Sequence, residues 1–99
     1  MEVIIEPEAE NDLKKHVKQE DRKYVKERLE DLSEAPTNNP DTDTIEIRGR
    51  TVFKYVMKEG SKGGKDYRAV FDIINSKIRI TAIFHRDQGY DKQLISKRL

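Results

Sequence analysis

The order of apolar patterns predicts an α+β domain. It consists of an antiparallel β-sheet of about four to five strands, an N-terminal αα-hairpin packed against it, and a short C-terminal helix. Three observations carry this. Two stripes of helical period come first, Ala9-Leu13-His16-Val17 and Tyr24-Val25-Arg28-Leu29-Leu32. Strict alternation of apolar and polar residues takes over from Thr51. Asn75-Ser76 then joins two alternating runs at hairpin spacing.

Val3, Ile4 and Ile5 form a short first strand, stopped by Pro7. Pro7 opens the first helix, because its fixed φ and missing N–H suit a first turn. Glu8 and Glu10 complement the helix dipole there. Asp21 is the expected cap of the second helix, which Pro36 ends. Its outer face is charged, with Lys26 and Glu30 four residues apart. Residues 36–43, PTNNPDTD, are turn chemistry throughout.

Thr44 to Ile47 reads as a short strand, and Gly49 turns the chain. On the next strand Phe53, Tyr55 and Met57 are expected to face the core. Val52, Lys54, Val56 and Lys58 point the other way. Residues 59–65, EGSKGGK, form a mobile basic tip. It is no Walker loop, since Lys65 stands five residues after Gly60, where a glycine is needed. Tyr67, Ala69, Phe71 and Ile73 alternate with Arg68, Val70, Asp72 and Ile74. By the same parity Ile78, Ile80, Ala82 and Phe84 share the core face, opposite Arg79, Thr81, Ile83 and His85. Residues 91–99 form the short charged last helix. With helices on one face only, the other face of the sheet stays at least partly open.

Ninety-nine residues make a single domain, residues 1–99. Apolar content of 34% against 39% charged gives a lean core under a charged surface. The chain has no cysteine, which excludes disulfides and thiolate chemistry. No apolar run approaches the roughly 18 residues of a membrane span. The N-terminus is too acidic for a signal peptide, so a soluble cytoplasmic protein is expected. Residues 1–47 hold seven Lys/Arg and fourteen Asp/Glu, a net −7. Residues 48–99 hold thirteen and five, a net +8. The second half is therefore the one suited to an anionic partner, unless the halves simply neutralise each other.

Alternation gathers Lys54, Lys58, Arg68, Asp72, Arg79 and His85 on the open face, a candidate polyanion surface. Exposed strand positions are also polar by default, and lysine protects an edge. His85 is suited to general acid–base work, to orienting Arg86, or to ending its strand. His16 lies on a buried stripe and is read as structural. The two histidines have no metal-ligand spacing, and neither metal nor cofactor is expected. Tyr90 either stacks on a base and moves a proton, or anchors the last helix. Simple parity turns Arg86 toward the core with Phe84.

Three stretches resemble the RelE/ParE toxin superfamily: Glu6 to Lys15 (EPEAENDLKK), Asp66 to Phe71 (DYRAVF), and Ile83-Phe84-His85-Arg86 with Tyr90. The resemblance covers nearly the whole chain and implies a RelE-like, microbial-ribonuclease-like fold. It implies the toxin of a type II toxin–antitoxin, plasmid-stabilisation system, acting as a metal-independent, ribosome-dependent mRNA endoribonuclease. The alternatives are a ParE-type gyrase inhibitor of the same fold and an inactive antitoxin-binding relative. The implied partners are mRNA on the ribosome and a cognate antitoxin in a hetero-oligomer, with no membrane. Carried over by position, Arg68 stabilises the transition state and Arg86 is the proposed acid. Tyr90 stacks on substrate, and Lys54 or Lys58 is the base. Such a lysine acts as base only where neighbouring cations favour its neutral form. Arginine holds its proton above pH 12, so charge stabilisation suits Arg86 better than proton donation. His85 is the alternative proton donor. Lys62, Lys65, Arg79, Arg48 and Arg50 complete the expected substrate-binding set. Overall near-neutrality departs from the strongly basic character of many family ribonucleases.

Overall fold

A computed structural model of the chain describes residues 1–60, 64–89 and 91–99. Along them run β1 (Glu2–Ile5), α1 (Pro7–His16), a 3-10 turn (Gln19–Asp21) and α2 (Arg22–Asp31). Then come β2 (Thr42–Ile47), β3 (Arg50–Glu59), β4 (Lys65–Ile74), β5 (Lys77–His85), a second 3-10 turn (Arg86–Gln88) and α3 (Lys92–Arg98). The strands form one sheet in the order β1-β5-β4-β3-β2. β2 to β5 are a meander of antiparallel pairs. β1 adds in parallel along the first half of β5, from Glu2 opposite Lys77 to Ile5 opposite Ile80.

Pro7 occupies the first turn of α1 with Glu8 and Glu10, as its chemistry dictates. Asp21 does not cap α2. Its side chain is buried and accepts a 2.6 Å hydrogen bond from the Tyr67 hydroxyl instead. α2 ends at Asp31, short of Pro36. Leu13, Val25, Leu29 and Leu32 of the helical pair pack on Tyr55, Met57, Tyr67, Phe71, Ile78, Ile80 and Ile83 of the sheet. The Phe53 and Phe71 rings stack across β3 and β4 at 5.2 Å. No helix among the described residues is long and apolar enough to cross a membrane.

The alternation expected along β5 breaks at Thr81. Val70 pairs with Ala82, but Phe71 pairs with Ile80, so Thr81 is an extra residue on β5. Its hydroxyl donates to the Val70 carbonyl at 3.1 Å. Beyond this bulge the faces exchange. Ile83 joins Ile78 and Ile80 under the helices, while Ala82 and Phe84 turn to the opposite face. That face is not simply open. Ala82 and Phe84 form a second small core with Ile47, Val52, Val70 and Ile95 of α3.

β1 ends before the bulge, so among the described residues no strand lies beyond residues 81–85 of β5. Side chains close this edge. Asp12 of α1 accepts the Ile83 N–H at 3.0 Å. Arg98 of α3 reaches the same carboxylate at 2.6 and 3.2 Å and donates to the Thr81 carbonyl at 3.0 Å.

Candidate functional site

At the far end of β3, β4 and β5 the face turned away from α1 and α2 carries two adjacent rows of residues. Val56 pairs with Arg68, and Arg68 with Phe84. One step further, Lys58 pairs with Asp66. Arg86, just past the end of β5, brings its guanidinium within 3.8 Å of the second Asp66 oxygen. Arg68 holds the first Asp66 oxygen in a tight ion pair. One carboxylate thus gathers arginines from β4 and from the turn after β5. The Asp66 side chain is 12% exposed, whereas that of Arg86 is 65% exposed.

Two expectations change here, both because of the bulge. Parity counted through Thr81 turns Arg86 inward. The extra residue and the end of β5 at His85 leave it exposed on the Arg68 side. The same shift removes His85 from the basic face. It pairs with Tyr67, and its ring meets the Tyr67 ring edge-on at 5.3 Å, on the helix side.

A cavity of about 870 Å³ wraps round this end of the sheet and joins the two sides. Lys58, Asp66 and Arg86 line it from the sheet, and His16, Lys18 and Gln88 from the helix side, with His85, Tyr67 and Lys65 between them. Gln88 ties the turn together. Its carbonyl oxygen accepts from the His85 N–H at 2.9 Å, and its amide nitrogen lies 2.7 Å from His16 Nδ1. His85 Nδ1 accepts the Asp87 N–H. His16, expected in the core, is therefore a half-buried wall of the cavity. Under this wall, burial and the bond to Asp21 push the Tyr67 phenol up to about 12.

The remaining expected residues are dispersed. Lys54 lies opposite Val70 on the Arg68 face, two rows from Lys58. Lys65 pairs with Glu59 at 3.4 Å and sits over the Tyr24 ring at 5.2 Å, drawn to the helix side. Arg79 and Arg50 both bind Asp72, at 2.6 and 3.1 Å, and this bond holds the Arg79 proton more firmly still. Asp72 lies six residues along β4 from Asp66, roughly 20 Å at the rise of a strand. Arg48 is exposed at the β2–β3 turn, whose residues Arg48 and Gly49 both have positive φ. Lys62 and Tyr90 lie outside the described residues.

Sequence reasoning missed Asp66, Gln88 and Lys18. Asp66 carried a usable signal, because residues two apart on a strand share a face and Arg68 follows at that spacing. Gln88 and Lys18 carried none. Their place depends on how α1 docks against the end of β5.

The sheet, the αα-hairpin behind it and the short last helix form an architecture shared with a solved toxin structure. The chain matches the free-state structure of a double arginine mutant of E. coli toxin RelE with a TM-score of 0.65. The match covers 99% of this chain and 96% of that chain at 18% identity, a likeness of fold. The model of the ParE toxin family of type II toxin–antitoxin systems, parDE, matches residues 3–90, and the chain belongs to that family. Membership implies a cognate antitoxin as partner. No curated protein matches the sequence.

Proposed function

We propose that this toxin is a ribosome-dependent mRNA endoribonuclease that works without a metal ion. The observation that carries the reading is the meeting of Arg68 and Arg86, from separate elements, on the Asp66 carboxylate, which stands opposite Lys58. RNA cleavage by its own 2′-hydroxyl needs three things. A base takes the 2′ proton, cations stabilise the charge on the five-coordinate phosphorus, and an acid protonates the departing 5′-oxygen. The O2′–P bond forms as the P–O5′ bond breaks, leaving a cyclic phosphate and a 5′-hydroxyl. Arg68 and Arg86 supply fixed positive charge. Lys58 is the candidate base. His85 lines the same cavity and is the candidate acid.

The family description, which names parDE, favours a second reading, inhibition of DNA gyrase through a binding surface. Induction followed by primer-extension mapping of a translated message separates the two. The first reading expects discrete cuts within codons that vanish with Arg68→Ala. Uncut message together with gyrase–DNA adducts would establish the second reading instead.

A further inference from the structure

Among the described residues, three largely buried carboxylates on the sheet or its edge bind arginines, and one of them differs; a fourth, Asp41 beside β2, is half exposed and binds Arg28 at 3.2 Å. Asp12 with Arg98, and Asp72 with Arg79, are closely bonded at 2.6 Å, and their carboxylates are 9% and 4% exposed. Both tie elements together. Asp66 stands instead on the wall of the large cavity. Its Arg68 contact is tight, but Arg86 reaches it only loosely at 3.8 Å and is mostly in solvent. Two guanidiniums turned toward one small anion reproduce the geometry that binds a phosphate.

We propose that Asp66 is an internal counter-ion, occupying the place of a substrate phosphate between Arg68 and Arg86. This rests on the reading of the cavity as an RNA site and adds a selectivity rule to it. An attached carboxylate competes at a high effective concentration with any single incoming anion. A lone phosphate therefore cannot take the arginines. A nucleic-acid strand can, because its neighbouring phosphates also meet Lys58, Lys18 and Lys65 along the same cavity. The site accepts a chain of phosphates and rejects free phosphate and mononucleotides, the more abundant small anions. Asp66 is thus a positioning and gating residue rather than a catalytic one.

The test is direct binding of a 12-nucleotide single-stranded RNA and of inorganic phosphate to wild type and to Asp66→Asn. Asparagine keeps an oxygen for Arg68 and removes the charge. The variant should bind RNA on the order of tenfold more tightly, as expected for removing one unit charge beside a phosphate near a protein surface. Its salt dependence should steepen by about one phosphate contact. Inorganic phosphate should compete with RNA on the variant and not on wild type. If Asp66→Asn binds neither ligand more tightly than wild type, including the case in which neither protein binds, the proposal is overturned. Should the variant not fold, NMR of the arginine side chains in wild type decides. RNA moving the Arg68 and Arg86 signals while phosphate leaves them unmoved supports the proposal, and phosphate moving them refutes it. The message-mapping experiment reads cleavage independently, so loss of the ribonuclease reading and loss of the counter-ion are separate results.

Discussion

Breaking the Asp12–Arg98 pair should cost this domain a large share of its stability. Arg98→Ala strands the Asp12 carboxylate, which is 9% exposed, and leaves the Thr81 carbonyl of β5 without its donor. Uncompensated buried charge costs about 3–5 kcal/mol. Asp12 keeps the Ile83 N–H, so the lower end, about 3 kcal/mol, is expected. Asp12→Ala should cost a similar amount, since it strands Arg98 and frees the Ile83 N–H. The double variant removes both charges and is left mainly with two unpaired backbone groups, at about 1–3 kcal/mol each. It should therefore lose about 3–4 kcal/mol rather than 6, a coupling of about 2–3 kcal/mol. Urea unfolding of the four proteins at neutral pH, with equal m-values, measures this directly. Single losses that simply add, within about 0.5 kcal/mol, would show that the two side chains do not act as one unit closing the edge.

Three other outcomes follow from features of the sheet. Ser76 holds φ 61 in the β4–β5 turn, a conformation glycine adopts without strain, so Ser76→Gly should stabilise the protein by about 0.5–1 kcal/mol. An unchanged or lower melting temperature would contradict the turn geometry. Tyr67 titrates near 12 in the folded chain, against 10.0 for an ordinary tyrosine. Its contribution is complete below pH 10 and is lost as pH rises through 12, about 3 kcal/mol in all. Tyr67→Phe should flatten that alkaline decline and cost about 1–3 kcal/mol at pH 7, where buried Asp21 loses its donor. An unaltered pH–stability curve would count against it. Finally, Gln88→Ala should loosen the turn carrying Arg86 and lower message cleavage with little change in melting temperature. A variant that cleaves like wild type would remove Gln88 from any positioning role.

Much of this fold was legible because each element obeyed one period. α1 and α2 show helical stripes, and β3 and β4 alternate without interruption, so Tyr55, Met57, Tyr67 and Phe71 fell on the core side as read. The position of Arg68 on the opposite face followed from the same count. β5 defeated it. Ile80 to Phe84 is almost wholly apolar because both faces of that strand are covered, by the helices and by α3. With apolar residues acceptable on either side, nothing in the run marks Thr81 as extra. The edge closure was equally hidden, since Asp12 and Arg98 lie 86 residues apart and meet only in the folded chain. Parity misplaced His85 and Arg86 for the first reason, whereas the resemblance put Arg86 beside Arg68, and Gln88 was missed for the second.

The extra residue at Thr81 makes strand length a chemical variable. Upstream of it the β5 backbone is pinned by β1, and downstream it delivers consecutive His85 and Arg86 to opposite sides of the sheet end. Removing one residue between Ile80 and His85 would send imidazole toward Arg68 and guanidinium toward Tyr67, with no side chain substituted. Among proteins of this architecture, a one-residue gap in the last strand would thus exchange the groups offered to a ligand. Aligned columns would show the same histidine and arginine in place.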